Sequence, residues 1–247
     1  MNAPGQTSLL VLRIRMPAPT LTLLALVCFV QFTSAEPPAG NAFEPEILAY
    51  EKSDKDAHPP EGAILFTGAS SIRMWTSLAK DFPGLTVINR GFGGSQLSDS
   101  IYFADRISIH YKPQTIIIQA GGNDINAGKS PEQVLTDFKT YVAKVRAALQ
   151  DVKIIFLSLN PSPQRWEQRD KQQQANKLVR EYIATGKSLT YVDLWSDSIG
   201  PDGMPKPELY VDDKLHPSTS GYSLRTRLLL PPHQAPAASF ALSSPSI

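Results

Sequence analysis

Five short apolar runs, each followed by enough chain for a helix, constrain this sequence more than any other feature. They are Ala63–Thr67, Thr86–Asn89, Thr115–Ala120, Lys153–Leu159 and Leu189–Asp193. Within them apolar residues follow one another without an alternating polar face, the pattern of strands covered on both sides. Strands joined by helix-length crossovers lie parallel, so the spacing predicts an α/β fold around a five-stranded parallel sheet.

The intervening segments support helices. Ser130 is a natural N-cap, Pro131 suits the first helical position and Gln133 is placed to complete a capping box. Val134, Phe138, Tyr141, Val142, Val145 and Leu149 then form one apolar stripe, predicting a packed helix over Pro131–Leu149. Phe43–Lys55 reads as a lead-in helix stopped by His58-Pro59-Pro60, Arg165–Thr185 as a more polar helix, and Ser218–Leu230 as a closing helix.

Both ends differ from this middle. Arg13 and Arg15 precede the uncharged apolar stretch Leu21–Phe32 and the small residues Thr33-Ser34-Ala35, which reads as a signal peptide over residues 1–35, cleaved after Ala35. The apolar stretch is shorter than the ~20 residues a membrane-crossing helix needs, so no stable membrane insertion is expected once it is removed. Val27 stands before Cys28 where a lipoprotein signal wants a small residue. The expected location is periplasmic or secreted. Residues 36–42 read as a linker and 43–230 as one domain. Residues 231–247 hold four Pro, four Ala and four Ser and read as a disordered tail.

Charge and metal-binding residues exclude several functions. A formal charge of +1 gives no basic field to hold a phosphate backbone, so nucleic acid is not an expected partner. Cys28, alone of its type, rules out Cys-rich zinc sites, and His58, His110, His216 and His233 form no HExxH or HxH pair. The sequence predicts a mechanism with no metal and no cofactor.

Reactive groups in an open parallel sheet gather at the carboxyl ends of the strands, and four motifs fall there. Gly68-Ala69-Ser70-Ser71 follows the first strand and delivers Ser70 to a helix N-terminus, as a nucleophile or as an N-cap. Asn89-Arg90-Gly91-Phe92-Gly93-Gly94-Ser95 comes after the second and brings bare backbone N–H groups near a ligand, or is simply a turn. Gln96 stands where a dinucleotide fingerprint has its third glycine. Gly121-Gly122-Asn123-Asp124 follows the third, adding an amide donor or another turn. Asp213, three residues before His216, is placed to orient the imidazole as a base. Together these are the parts of acyl transfer.

The order Gly68-Ala69-Ser70, Gly94, Gly122-Asn123-Asp124 and Asp213-x-x-His216 resembles the four blocks of the SGNH hydrolases, or GDSL-type esterases and lipases, over roughly Glu46–Leu230. The lead-in helix and Tyr102–Arg106 resemble a bacterial subgroup described as GDSL-like lipase/acylhydrolase. The resemblance implies a three-layer α/β/α sandwich, flavodoxin-like, with strand order 2-1-3-4-5. It implies Ser70 as nucleophile, the Ser70 and Gly94 N–H groups with the Asn123 side chain as oxyanion donors, and His216 as base oriented by Asp213. Ala69 and Ser95 replace aspartates common in the family, and Ser71 is an adjacent second hydroxyl. The expected activity is that of an exported serine esterase acting on short-chain carboxylic esters. An O-acetylesterase of sugars or cell-wall glycans, and a carbohydrate- or lipid-binding module on the same scaffold, are the alternatives. Asn160–Trp166 emerges at the same edge, where Trp166 is either a wall of the pocket or a packing residue.

Overall fold

A computed structural model describes residues 42–230. In chain order the elements are α1 (Glu44–Asp56), β1 (Ile64–Gly68), α2 (Ser70–Arg73), α3 (Leu78–Asp81), β2 (Val87–Gly91), α4 (Leu97–Tyr102), β3 (Thr115–Gln119), α5 (Gly122–Asn126), α6 (Pro131–Ala148), β4 (Lys153–Leu157), α7 (Arg169–Ala184), β5 (Leu189–Val192), α8 (Trp195–Ser198) and α9 (Thr219–Leu229). The expected signal peptide, residues 36–41 of the expected linker and the expected tail lie outside the described residues. No helix among the described residues is long and apolar enough to cross a membrane.

The five strands form one all-parallel sheet in the order β2-β1-β3-β4-β5, as expected. The continuous apolar runs are explained by the two covered faces. Ile116 and Ile118 of β3 pack with Phe138, Tyr141 and Val145 of α6 and Val179 of α7, whereas Ile117 between them packs with Ile72, Trp75 and Phe82 on the other side. Leu65 and Phe66 of β1 divide in the same way. A strand whose successive residues enter different cores has no polar face to show.

The lead-in helix α1 is built into the molecule through a buried network. Arg90 Nη2 lies 2.5 Å from Asp54 Oδ1, Arg90 Nε donates to the Tyr111 hydroxyl at 2.7 Å, and that hydroxyl donates to Asp54 Oδ2 at 2.5 Å. Removing one partner would strand a buried charge, which typically costs about 3–5 kcal/mol. Further along the same helix, the Tyr50 hydroxyl donates to the Gly91 carbonyl and Glu46 Oε2 accepts the Gly93 N–H at 3.2 Å. The glycine loop after β2 is therefore held from outside the sheet.

Two local readings need correction. Ser130 Oγ does accept the Gln133 N–H at 3.2 Å, but the Gln133 amide turns to Asp137 Oδ1 at 2.7 Å, so the capping box is only half formed. The helix expected from Arg165 starts at Arg169. Pro163–Gln168 forms a 3-10 segment, with Arg165 at φ −123°, ψ 27°. Pro161 and Pro163 restrict the backbone there, and the Arg165 side chain is engaged across the sheet edge with the start of α5.

Candidate active site

Gly68 ends β1 at φ +125°, and a Cβ at this position would fall 2.1 Å from the Gln119 carbonyl oxygen of the neighbouring strand. Only glycine lets the chain leave the sheet here. Ala69 then serves as the N-cap of α2, its own N–H donating to Gln119 O at 3.1 Å, and Ser70 becomes the first helical residue. Ser70 is not the N-cap.

Its Oγ lies 2.9 Å from His216 Nε2, across 146 residues of sequence. His216 Nδ1 lies 2.5 Å from Asp213 Oδ2, while Asp213 Oδ1 accepts the Leu215 and His216 N–H groups at 2.8 and 2.9 Å. A carboxylate on Nδ1 assigns the proton to that nitrogen and leaves Nε2 to accept from the serine hydroxyl. Desolvation works against ionisation of Asp213, although the residue is exposed. Hydrogen bonds from the His216 side chain and from the His216 and Leu215 N–H groups outweigh it and bring its pKa down to about 2. Ser71 makes no hydrogen bond to His216 among the described residues, so of the two adjacent hydroxyls it is Ser70 that meets the imidazole.

The Ser70 and Gly94 N–H groups donate to no acceptor among the described residues. Gly94 sits at φ +80° in the loop before α4, and the Ser95 carbonyl next to it accepts one N–H of the Asn123 amide at 2.9 Å. One Asn123 donor remains uncommitted. Asp124, wholly buried, ties α5 to α4 by accepting the Leu97 N–H at 3.1 Å and Lys129 Nζ at 2.9 Å. Burial raises its pKa and Lys129 opposes the shift. Thus the Asp of this motif is a structural tie and the Asn faces the site.

Ser70, Asn123 and His216 line one cleft of about 550 Å³, counting the part open to solvent. Asp213 stands behind His216, and Gly94 precedes Ser95, whose carbonyl holds the Asn123 amide. Arg165 also lines the cleft, and its role was missed in the sequence. Its Nη1 donates to Asn123 Oδ1 at 3.0 Å and to Gly122 O at 3.3 Å. Trp166 is not part of the wall. It stacks on Trp195 with ring centroids 6.4 Å apart and carries the Arg169 guanidinium over its face, which is packing. No group of three or more His, Cys, Asp or Glu among the described residues is arranged to hold a metal ion.

A serine, an imidazole and a carboxylate in hydrogen-bonded series at the carboxyl edge of a doubly wound sheet define the class of α/β serine hydrolases. Residues 60–224 match the GDSL-like Lipase/Acylhydrolase family, and the chain belongs to that family of carboxylic ester hydrolases. No curated protein matches the sequence significantly. Similar solved structures share the fold. A GDSL-like lipase from Bacteroides thetaiotaomicron is 20% identical with a TM-score of 0.63, covering 74% of this chain and 94% of its own. An acetyl-xylooligosaccharide esterase from Geobacillus Stearmophilus is 17% identical with a TM-score of 0.56, covering 69% and 93%. A lipase/acylhydrolase from Enterococcus faecalis is 19% identical with a TM-score of 0.54, covering 68% and 92%.

Proposed function

We propose that this protein is an exported serine esterase that removes short acyl groups through an acyl-enzyme. The observation that carries the reading is the series Ser70 Oγ, His216 and Asp213, at 2.9 and 2.5 Å. Ser70 Oγ attacks the ester carbonyl while His216 Nε2 takes its proton. The carbonyl oxygen becomes an oxyanion facing the Ser70 and Gly94 N–H groups and the free N–H of Asn123. Collapse expels the alcohol, which leaves with the proton from His216. Water then repeats the sequence on the acyl-enzyme and releases the acid.

The cleft wall favours a small acyl group. Its apolar surface comes from Ala69, Ala120, Leu159 and Leu215, and the rest is polar, including Gln119, Asn160 and Ser162. A long acyl chain gains binding energy only where apolar wall replaces water, at about 25 cal/mol per Å², and little such wall exists. The same polarity favours a hydroxyl-rich alcohol, so O-deacetylation of sugars or cell-wall glycans is the second reading. The xylooligosaccharide esterase among the similar structures is in keeping with it. Export rests on Arg13, Arg15, the Leu21–Phe32 stretch and Thr33-Ser34-Ala35.

A fluorophosphonate probe is expected to label Ser70 stoichiometrically, as located by peptide mass mapping. An unlabelled but folded protein would instead be a binding module. Across p-nitrophenyl esters, kcat/KM is expected to fall by at least about tenfold from acetate to octanoate. A flat or rising series would remove the short-chain assignment.

Asp213→Asn is expected to lower kcat by on the order of ten- to a hundredfold. The loss of an orienting carboxylate elsewhere reaches about 10⁴, but the Asp213 side chain is 47% exposed and water screens its charge. With its pKa near 2, Asp213 stays ionised over the working range. No ionisation of Asp213 should therefore appear in the wild-type pH–rate profile above pH about 3, and one that is present there and abolished in Asp213→Asn would contradict this.

A further inference from the structure

Two arginines at the cleft lack the carboxylate partner that most arginines among the described residues have. Arg73, Arg90, Arg106, Arg169, Arg180 and Arg227 each have a carboxylate within 4.0 Å. Arg165 and Arg225 have none among the described residues, and neither has Arg146, which lies away from the cleft on the Lys187 carbonyl. Arg165 is half-buried in the cleft wall, and desolvation alone lowers its pKa, with no anion present to offset it. Arg225 is 2% exposed immediately behind the wall. Its Nη2 donates to the cleft residue Asn160 at 3.3 Å, and burial brings its pKa down to about 10. No Asp or Glu lines the cleft. Two guanidiniums without a carboxylate partner therefore stand at one cavity, while Asp213, the nearby carboxylate, is committed to His216.

The geometry of Arg165 suits a ligand. Nη1 donates to both Gly122 O and Asn123 Oδ1, and these contacts restrain the guanidinium. The Nε and Nη2 edge has no partner among the described residues. That edge is the fork that grips a carboxylate or phosphate with two parallel hydrogen bonds. A half-buried cation held in place with its fork open to solvent is complementary to an anion that enters the cleft.

From this we infer that the substrate carries an anionic group, a carboxylate or a phosphate, which docks on the Nε and Nη2 edge of Arg165 while the ester reaches Ser70. The substrate class is then acyl esters of acidic, hydroxyl-bearing alcohols, such as O-acetylated sugar acids or sugar phosphates. The inference rests on the serine-esterase reading above and narrows its substrate.

The test compares O-acetylated glucose, O-acetylated glucuronic acid and O-acetylated glucose 6-phosphate on the wild type, R165K and R165M, with p-nitrophenyl acetate as the neutral reference. In the wild type at low ionic strength, kcat/KM is expected to be at least about tenfold higher for an anionic sugar ester than for the neutral one. The gain should lie mainly in KM and shrink with added salt. The preferred anionic ester identifies the group recognised. R165M is expected to bring the anionic-to-neutral ratio close to one, and R165K to retain part of it. This ratio is insensitive to any general loss through Asn123, because such a loss falls on both substrates equally. Equal wild-type turnover of charged and neutral sugar esters overturns the inference while leaving the esterase intact, and so does a ratio that survives in R165M. Failure of the wild type to hydrolyse every ester, p-nitrophenyl acetate included, overturns the underlying reading instead. If R165M does not fold, the wild-type ratio and R165K decide the matter.

Discussion

Ser70→Ala is expected to reduce kcat on p-nitrophenyl acetate by at least about 10⁴-fold with the fold intact. The hydroxyl is the only part removed, and alanine suits the first turn of α2 at least as well as serine. The N–H donors and the cleft remain, so a small residual rate over water is expected from them. His216→Ala should cost a comparable factor, because a hydroxyl without its base is a poor nucleophile. The double substitution should cost no more than about the larger single one, since the two groups act as a unit. Circular dichroism and melting of the variants establish that the loss is chemical. A Ser70→Ala protein within tenfold of wild type, or a double variant showing the product of two large losses, would sink the assignment.

The second large effect is expected at Asn123. On the proposed mechanism its free amide N–H meets charge that develops only as the carbonyl is attacked, so Asn123→Ala should lower kcat by about 10²–10³-fold and leave KM nearly unchanged. The amide is held from two sides, by the Ser95 carbonyl at 2.9 Å and by Arg165 Nη1 at 3.0 Å. A donor held in place before the reaction requires no rearrangement at the moment of charge development. If Asn123→Ala instead raised KM and spared kcat, the side chain would be positioning substrate and the oxyanion would be served by the backbone alone.

The parts of this molecule that were legible in the sequence are those whose signal is local. Each strand is a contiguous apolar run, because both its faces are covered. Asp213 and His216 are three residues apart, and Ser70 follows a glycine that the neighbouring strand requires. The resemblance to a known family added the pairing of Ser70 with His216 and the strand order, which no local pattern encodes. Arg165 was not legible as a cleft residue. Its partner Asn123 is 42 residues away, and in the sequence Arg165 looks like the first residue of a polar helix. The grip of Tyr50 and Glu46 on the loop after β2 was hidden for the same reason, spanning 41 and 47 residues. Periodicity found the helix around α7 but not its start, because a 3-10 segment next to prolines has the same polar composition as a first α-helical turn. Trp166 had two readings of equal standing from sequence, and its stacking on Trp195 separates them.

The 146 residues that separate Ser70 from His216 also have a kinetic meaning. Contacts between segments so far apart form late in folding, since a large loop must close before they return any energy. The serine has no base until the turn before α9 has docked against the end of β1. A partly folded chain can hold most of the sheet and still leave Ser70 without its imidazole partner. Covalent capture of Ser70 would accordingly count completed molecules rather than total protein.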